Sequence, residues 1–597
     1  MNRILVAVTC ACLSISTGFA GATYSYDSAS RLIKADYGAA GVLVYNYDAA
    51  GHLVSRQLQP NAPVITSINP SVVPSINANQ QITINGSGFQ NGTGLTVHVT
   101  SGSFHADFTG AQITFVSSSQ LVISLNVGTA PANWTIQIIN GNGLLSNTLF
   151  FTVTAQPATT TMALPQLAYG GGWYTALYFS NTTGSAVQVP VSFMNNDGTP
   201  LAVPLNGIGP VSSQTVSLAP GATAILEAPN VGNLVVQGWA EATLPPGVVG
   251  YAIFRQSVAN RADQEAVVPL IPEDSRSANF SYDETNFTTT FDLLNPSGQQ
   301  ATVTVSVFGA DGTPLGSMPV VLAARTKQAE TLRALFPAVA GTRGQVSLSA
   351  NNGAISSLGI KFGGAAFTSI PVTHASQMQT STTSYAVPQL AFGDGWYTAF
   401  YFSNTTTSPV SFPVNFMDFN GGPLSVPLLG IGPVTGQTVH LNAGATVVLE
   451  APNSGSLVQG WAETMLPRGV VGYAIFRQSV VNRFDQEAVV PLTIESSMGA
   501  DFSYDDTSFT TSIAFLNPSN QQVAVTITIH AADGTQLGST QVGLTPRSKQ
   551  SKKLSDLFPN IVGNRGWASF SVTNGDVSVL GLRFGGSAFT TIPVTPR

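Results

Sequence analysis

A chain of 597 residues with 43% hydrophobic side chains, only 9% charged ones and a net charge of −7 is neither a disordered protein nor a typical soluble domain, which carries about 25% charge. It has no basic block able to neutralise a phosphate backbone, which argues against nucleic-acid binding. Abundant Val, Ile, Phe and Thr among 58 glycines and 36 prolines predict extended all-β structure, and the length sets about four domains as a first expectation.

The chain opens "MNRILVAVTCACLSISTGFAGATYSYD": Arg3, then a short apolar run from Ile4 to Ile15, then Ala20-Gly21-Ala22 as an A-x-A cleavage site. Residues 1–22 therefore read as a secretory signal peptide, too short to span a bilayer. Both cysteines, Cys10 and Cys12, lie inside it. The mature chain is then expected to have no disulfide, thiolate or cysteine metal site, and to hold together by core packing. No later run is long and apolar enough for a membrane helix, so a secreted or cell-surface protein is expected, with no membrane span in the mature chain.

Next come "YSYDSASRL" (24–32) and "YNYDAAGHL" (45–53), which repeat Tyr-Asp at 26–27 and 47–48. The segment 23–57 resembles the YD repeats of the Rhs and teneurin families, which implies a remnant of a β shell or an N-terminal strand pair. Residues 62–154 follow, with P-x-I-x-x-I-x-P at 63–70, Gly86-Ser87-Gly88-Phe89, and a closing stretch from Asn140 to Asn147. This part resembles an IPT/TIG domain. The resemblance implies an immunoglobulin-like sandwich acting as a spacer or binding module.

The rest is duplicated. "GVVGYAIFRQSV" stands at 247–258 and again at 469–480, and "LPQLAYGGGWYTALYFSNTT" (164–183) returns as "VPQLAFGDGWYTAFYFSNTT" (387–406). Each block is itself double. Asn181, Asn295, Asn404 and Asn517 each precede by sixteen residues a turn dipeptide: Asp197-Gly198, Asp311-Gly312, Asn420-Gly421 and Asp533-Gly534. Such dipeptides mark hairpins, and the runs before them ("VQVPVSF", "ATVTVSVF", "VAVTITI") alternate with period two. Four immunoglobulin-like units are predicted: 1a (160–272), 1b (273–374), 2a (384–494) and 2b (495–597). They are expected as tandem sandwiches, beads on a string, with extended, cleavable linkers at 154–165 and 373–388.

The residues offer little catalytic chemistry. None of the six histidines occupies a matched place in both blocks; His440 aligns with Ser217, and His530 with Phe308. A Ser-His-Asp triad or a multi-histidine metal site is thus not part of the repeated design. Glu241, Asp263 and Glu265 near Arg255 and Arg261 recur as Glu463, Asp485, Glu487, Arg477 and Arg483. A carboxylate pair for glycoside hydrolysis is one reading; an ion-pair network at a sheet edge or between sandwiches is the other, favoured because nearby arginines keep carboxylates ionised. Oxygen clusters at 194–200, 283–286 and 505–508 do not follow the spacing of a calcium loop. No cofactor or metal is expected.

Strand parity in "VVQGWAEA" (235–242) and "RGWASFSV" (565–572) puts Trp239, Trp461 and Trp567 on the face away from each sandwich's own core, with Gln345 at the matching place in unit 1b. Eight residues after Gly247, Gly353, Gly469 and Gly575 stand Arg255, Lys361, Arg477 and Arg583. On that strand Ala252 and Phe254 should face inward, and Tyr251, Ile253 and Arg255 outward, with the outward face beside the tryptophan strand. Trp173 and Trp396 are left open by parity. The contact candidates are Trp239, Glu241, Arg255, Trp461, Glu463, Arg477, Trp567 and Arg583. Two readings of them stand: Arg stacked on Trp sealing one sandwich against its neighbour, or a sugar-binding platform. The first makes the protein a non-catalytic scaffold or adhesin with a surface-protein partner; the second makes it a carbohydrate-binding protein with an extracellular glycan partner.

Overall fold

The computed structural model describes the chain from residue 22 onward, apart from 38–40, 60–61, 76–78, 156–158, 258–262, 365, 480–484 and 587. The signal-peptide reading, with Cys10 and Cys12, therefore lies outside the described residues, as do Arg261 and Arg483. The chain divides into two compact units, Met1–Pro157 and Ala158–Arg597.

The first unit begins with a four-stranded antiparallel meander, Thr23–Tyr26, Leu32–Asp36, Val42–Tyr47 and Leu53–Gln59. The two Tyr-Asp aspartates do the same work in its two outer hairpins. Asp27 Oδ1 accepts from the Ala29 and Arg31 amides, and Asp48 Oδ1 accepts from the His52 amide. Each aspartate thus closes its turn with its own side chain. The following sandwich pairs a four-stranded sheet with a five-stranded one around Ile82, Ile84, Val97, Trp134, Ile136 and Phe151. Its motif residues have mechanical reasons. A Cβ on Gly86 would stand 2.0 Å from the Val64 carbonyl. Buried Asn140 donates to the Gly88 carbonyl and accepts from the Gln90 amide, while Asn147 pairs with both backbone groups of Ile65.

The second unit holds four sandwiches, each a five-stranded sheet on a four-stranded one. In 1a the first sheet includes Thr160–Tyr169, Val187–Asn195 and Val236–Leu244; the second includes Trp173–Asn181, Val248–Gln256 and Gln264–Pro269. Alternation along these strands fills the core with Leu177, Phe179, Val189, Val191, Phe193, Ala252 and Phe254. The framing asparagines explain themselves: Asn181, Asn295, Asn404 and Asn517 are fully buried. Asn181 Nδ2 donates to the Ser185, Leu218 and Ala219 carbonyls, and the other three repeat the pattern. One carboxamide thus latches a loop that would otherwise bury unpaired carbonyls.

The all-β, tandem-sandwich class is as predicted, but the four sandwiches are not beads on a string. Each hairpin turn docks into the next sandwich, and the last docks into the first. The Asn196 carbonyl of 1a accepts from the Lys327 amide of 1b (2.8 Å), and Ala310 of 1b accepts from Thr446 of 2a (2.9 Å). Phe419 of 2a accepts from Lys549 of 2b (2.9 Å), and Ala532 of 2b accepts from Thr223 of 1a (2.9 Å). The turn glycines serve twice. Their φ of 83–91° suits a hairpin, and a Cβ on Gly312 or Gly534 would stand 2.1 Å from the Ala443 or Pro220 carbonyl of the next sandwich. At the centre, the strands Gln264–Pro269, Ala366–Ile370, Gln486–Pro491 and Ala588–Ile592 each touch two of the other three. The result is a closed ring. The expected linker at 373–388 is part of it. Thr373–His374 joins the 1b sheet, Thr383–Phe392 is a 2a strand, and Gln379 donates to the Pro467 and Val470 carbonyls.

Candidate functional site

The ring has two kinds of seam. The seams within a block, 1a with 1b and 2a with 2b, hold Trp239 and Trp461. Trp239 and Trp461 do face away from their own cores, as parity requires, yet both are 0% exposed. Arg325 stacks 4.7 Å over Trp239 and bonds Glu241, and Arg547 stacks 4.9 Å over Trp461 and bonds Glu463. Alternation says which face a side chain takes, and not whether another sandwich covers that face. A sugar platform on Trp239, Glu241, Trp461 and Glu463 is therefore excluded: there is no free ring to stack on.

The seams between blocks, 2b with 1a and 1b with 2a, hold the four cations. Arg583 is 3% exposed and makes a two-pronged bond to Glu265, Nη2 to Oε1 at 2.7 Å and Nε to Oε2 at 3.1 Å. Its Nη1 also donates to the Tyr178 hydroxyl at 2.6 Å. Arg255 pairs with Asp263 at 2.7 Å and stacks on Tyr174 and Phe509. At the other seam Lys361 holds Glu487 at 2.9 Å, Arg477 bonds Glu487, and Tyr401 donates to Asp283 at 3.2 Å. Trp567 is 6% exposed and donates to the Gly221 carbonyl at 2.6 Å; Gln345, in the matching place, donates to the Asn404 carbonyl. Tyr251 and Ile253 face outward as parity required, but into the core of 2b. The expectation that this face adjoins the tryptophan strand is corrected: Val236–Leu244 and Val248–Gln256 belong to opposite sheets. The carboxylates are likewise split. Glu241 serves one seam and Glu265 the other.

The oxygen clusters are also engaged. Asp283 takes Arg343 and the Thr285 amide, and Glu284 takes Arg333 and the Thr289 amide. Among the described residues no group of three His, Cys, Asp or Glu is placed to hold a metal ion.

Two carboxyls went unread in the sequence. Burial, then Glu241 beside it, pushes Glu273 up to about 8; burial, then Glu463, pushes Glu495 up to about 7. The folded state thus holds protons that the unfolded chain releases near the ordinary carboxylate value. The stability they contribute is present below about pH 4.5 and lost as pH rises through about 7–8. A Glu273→Gln/Glu495→Gln chain should therefore gain melting temperature relative to the parent as pH goes from 5 to 8. A pH-independent difference would contradict this.

Beside each seam a cleft opens. The seams between blocks carry clefts of about 360 and 300 Å³, one with Tyr174, Glu227, Arg255 and Arg565, the other with Tyr397, Glu450, Arg477 and Arg343. The seams within blocks carry clefts of about 290 and 360 Å³, floored by half-buried Trp173 or Trp396. Each tryptophan packs at a tilt on a phenylalanine of the partner sandwich, Phe367 at 5.1 Å and Phe589 at 5.3 Å. Glutamines flank both, Gln166 and Gln237 in the first, Gln389 and Gln459 in the second. The seam residues missed in the sequence, Arg325, Lys327, Arg547 and Lys549, form an Arg-x-Lys-Gln motif at 325–328 and 547–550 that recurs only in the b units.

The class these observations define is an all-β chain of immunoglobulin-like sandwiches. Residues 63–153 match the IPT/TIG domain family. No curated protein matches the chain. Among solved structures it is similar to an auxiliary nutrient binding protein from Bacteroides ovatus, at 12% identity over 18% of this chain and 24% of that one, TM-score 0.12. It is similar to surface glycan-binding protein PbSGBP-B from Prevotella bryantii, at 9% identity over 38% and 81% of the two chains, TM-score 0.13. It is similar to the adhesin InvE of Yersinia pseudotuberculosis, at 10% identity over 35% and 58%, TM-score 0.13. Such scores carry no inference about ligand or partner.

Proposed function

We propose that this is an exported, non-catalytic scaffold or adhesion protein whose four-sandwich ring presents its seam clefts to an extracellular partner. The observation that carries this is the use of the repeated charged and aromatic residues. Among the described residues, Glu241 and Glu463 pair with Arg325 and Arg547 across the seams within blocks, Glu265 and Glu487 pair with Arg583 and Lys361 across the seams between blocks, and Arg325 and Arg547 also cover Trp239 and Trp461, an investment in holding sandwiches in fixed positions. The N-terminal stretch supports export.

A second reading, glycan binding, is favoured by one feature. Trp173 and Trp396, unlike Trp239 and Trp461, keep part of their rings in open clefts beside glutamine amides, the combination of flat apolar surface and directional hydrogen bonds that suits a sugar ring. Retention of the chain on insoluble polysaccharides, compared with Trp173→Ala/Trp396→Ala, tests both. Retention that free sugar competes away and that the double change abolishes would make the clefts glycan sites. Absence of retention by the folded chain on every polysaccharide would leave the scaffold reading with a protein partner.

A further inference from the structure

The two tryptophan clefts are copies of one design, and they have diverged in charge. In the 1a–1b cleft the lining includes Asp292 and Glu330 and no cation. In the 2a–2b cleft the equivalent positions are Ala514 and Lys552, Thr331 has become Lys553, and the one carboxylate is Asp556. Thr290 and Ala329 correspond to Ser512 and Ser551, so the hydroxyl lost at 553 is replaced by one at 551.

Beneath the cleft the change goes further. Lys327 is buried and paired with buried Asp292 at 3.2 Å. Its counterpart Lys549 is 3% exposed, and its acidic partner has become Ala514. Lys549 Nζ donates to the Gly460 carbonyl at 3.0 Å and to Gln389 Oε1, and no described carboxylate forms an ion pair with it. Gln389 Oε1 also accepts from Ser551 Oγ at 3.2 Å. The Gln389 oxygen is thus fully used, and its NH2 group is a donor without a protein acceptor in the cleft lining. Burying a cation without its counter-ion is costly. Burial indeed holds the Lys549 ammonium well below the ordinary lysine range, and an arriving anion would reverse that cost.

We propose that the 2a–2b cleft binds a carboxylate-bearing saccharide, a uronate residue whose ring lies on Trp396 and whose carboxylate meets Lys552, Lys553 and the Gln389 amide above Lys549. The acidic 1a–1b cleft does not take this ligand. The inference rests on the reading of the tryptophan clefts as sugar sites, and it adds which sugar class each copy accepts.

The test is titration calorimetry of the mature chain with trigalacturonate, its methyl ester and triglutamate. The expected result is one site per chain, with trigalacturonate at least tenfold tighter than the other two. Ala514→Asp restores the counter-charge already accommodated in block 1, and Lys552→Glu/Lys553→Thr copies the block 1 rim at exposed positions. Each should weaken trigalacturonate at least tenfold, and neither should unfold the ring by thermal melt. Equal binding of acid and ester, lost on Trp396→Ala, would overturn the anionic assignment and leave the glycan reading intact. No saccharide binding would overturn both. Triglutamate binding as tightly as the uronate would overturn the saccharide class, and two equal sites per chain would overturn the division of labour between blocks.

Discussion

Glu265→Leu should open the ring at the seam where 2b meets 1a. The substitution leaves the Arg583 guanidinium, 3% exposed, without its two-pronged partner. The nearest other carboxylate, Asp505, is 3.8 Å away and is already engaged by Arg565 at 3.1 Å. Removing one member of a buried ion pair costs about 3–5 kcal/mol, and an arginine cannot shed its charge to escape the cost. The matching change at the other between-block seam, Glu487→Leu, strands Lys361, which can release its proton, and Arg477, which is 20% exposed and keeps Asp485 at 3.9 Å; it should cost less. Denaturant melts of both variants, with small-angle scattering to follow the radius of gyration, check the order. Glu265→Leu should expand the particle at lower denaturant than Glu487→Leu. Equal midpoints, or a parent-like midpoint for Glu265→Leu, would contradict the assignment of this pair as the clasp.

Residues 158–374 expressed alone should form a dimer. In the ring, 1b docks onto 2a through Tyr401, Ser403, Glu450, Tyr473, Ile475, Arg477 and Glu487. In 1a those positions are Tyr178, Ser180, Glu227, Tyr251, Ile253, Arg255 and Glu265, the same residue every time. The 1b surface therefore finds on a second copy of 1a the partner it has in 2a, and two copies close a ring by two-fold symmetry. Without that closure, Tyr178, Tyr251 and Ile253 would stand exposed on a single block. Light scattering on the eluted peak should give twice the mass of the fragment, and Glu265→Leu in the fragment should return it to the monomer. A folded monomer at micromolar concentration would refute the prediction.

Much of this was legible in the sequence because it depends on local rules. Alternation located the cores, Asp-Gly and Asn-Gly located the hairpins, and the regular spacing of Asn181 and its three counterparts located the units. What was not legible came from contacts between residues far apart in the chain. Nothing near Trp239 in sequence announces that Arg325 will cover it, so parity placed the ring on the outer face and left the sealing and sugar-platform readings both standing. The same limit made Arg255 and Trp239 seem neighbours, although they belong to different sheets. The Arg-x-Lys-Gln motif was available as a signal, since it recurs at the same offset as the blocks. Lys549 gained meaning only beside Ala514, a pairing that the fold makes.

The turn-to-sandwich contacts also bear on load. In a linear string of domains, tension applied between the first and last would be taken by the connectors, and the domains would yield one at a time. Here 1a and 2b are direct neighbours, joined by Arg583 with Glu265 and by the Ala532 and Gly534 turn seated on Pro220–Thr223. Pulling on residues 158 and 597 would load that one seam first. Force-extension traces should then show a single early rupture, as the clasp parts, before any sandwich unravels. Until that rupture the unit is short and stiff, and after it the released length lets the chain give without losing its sandwiches.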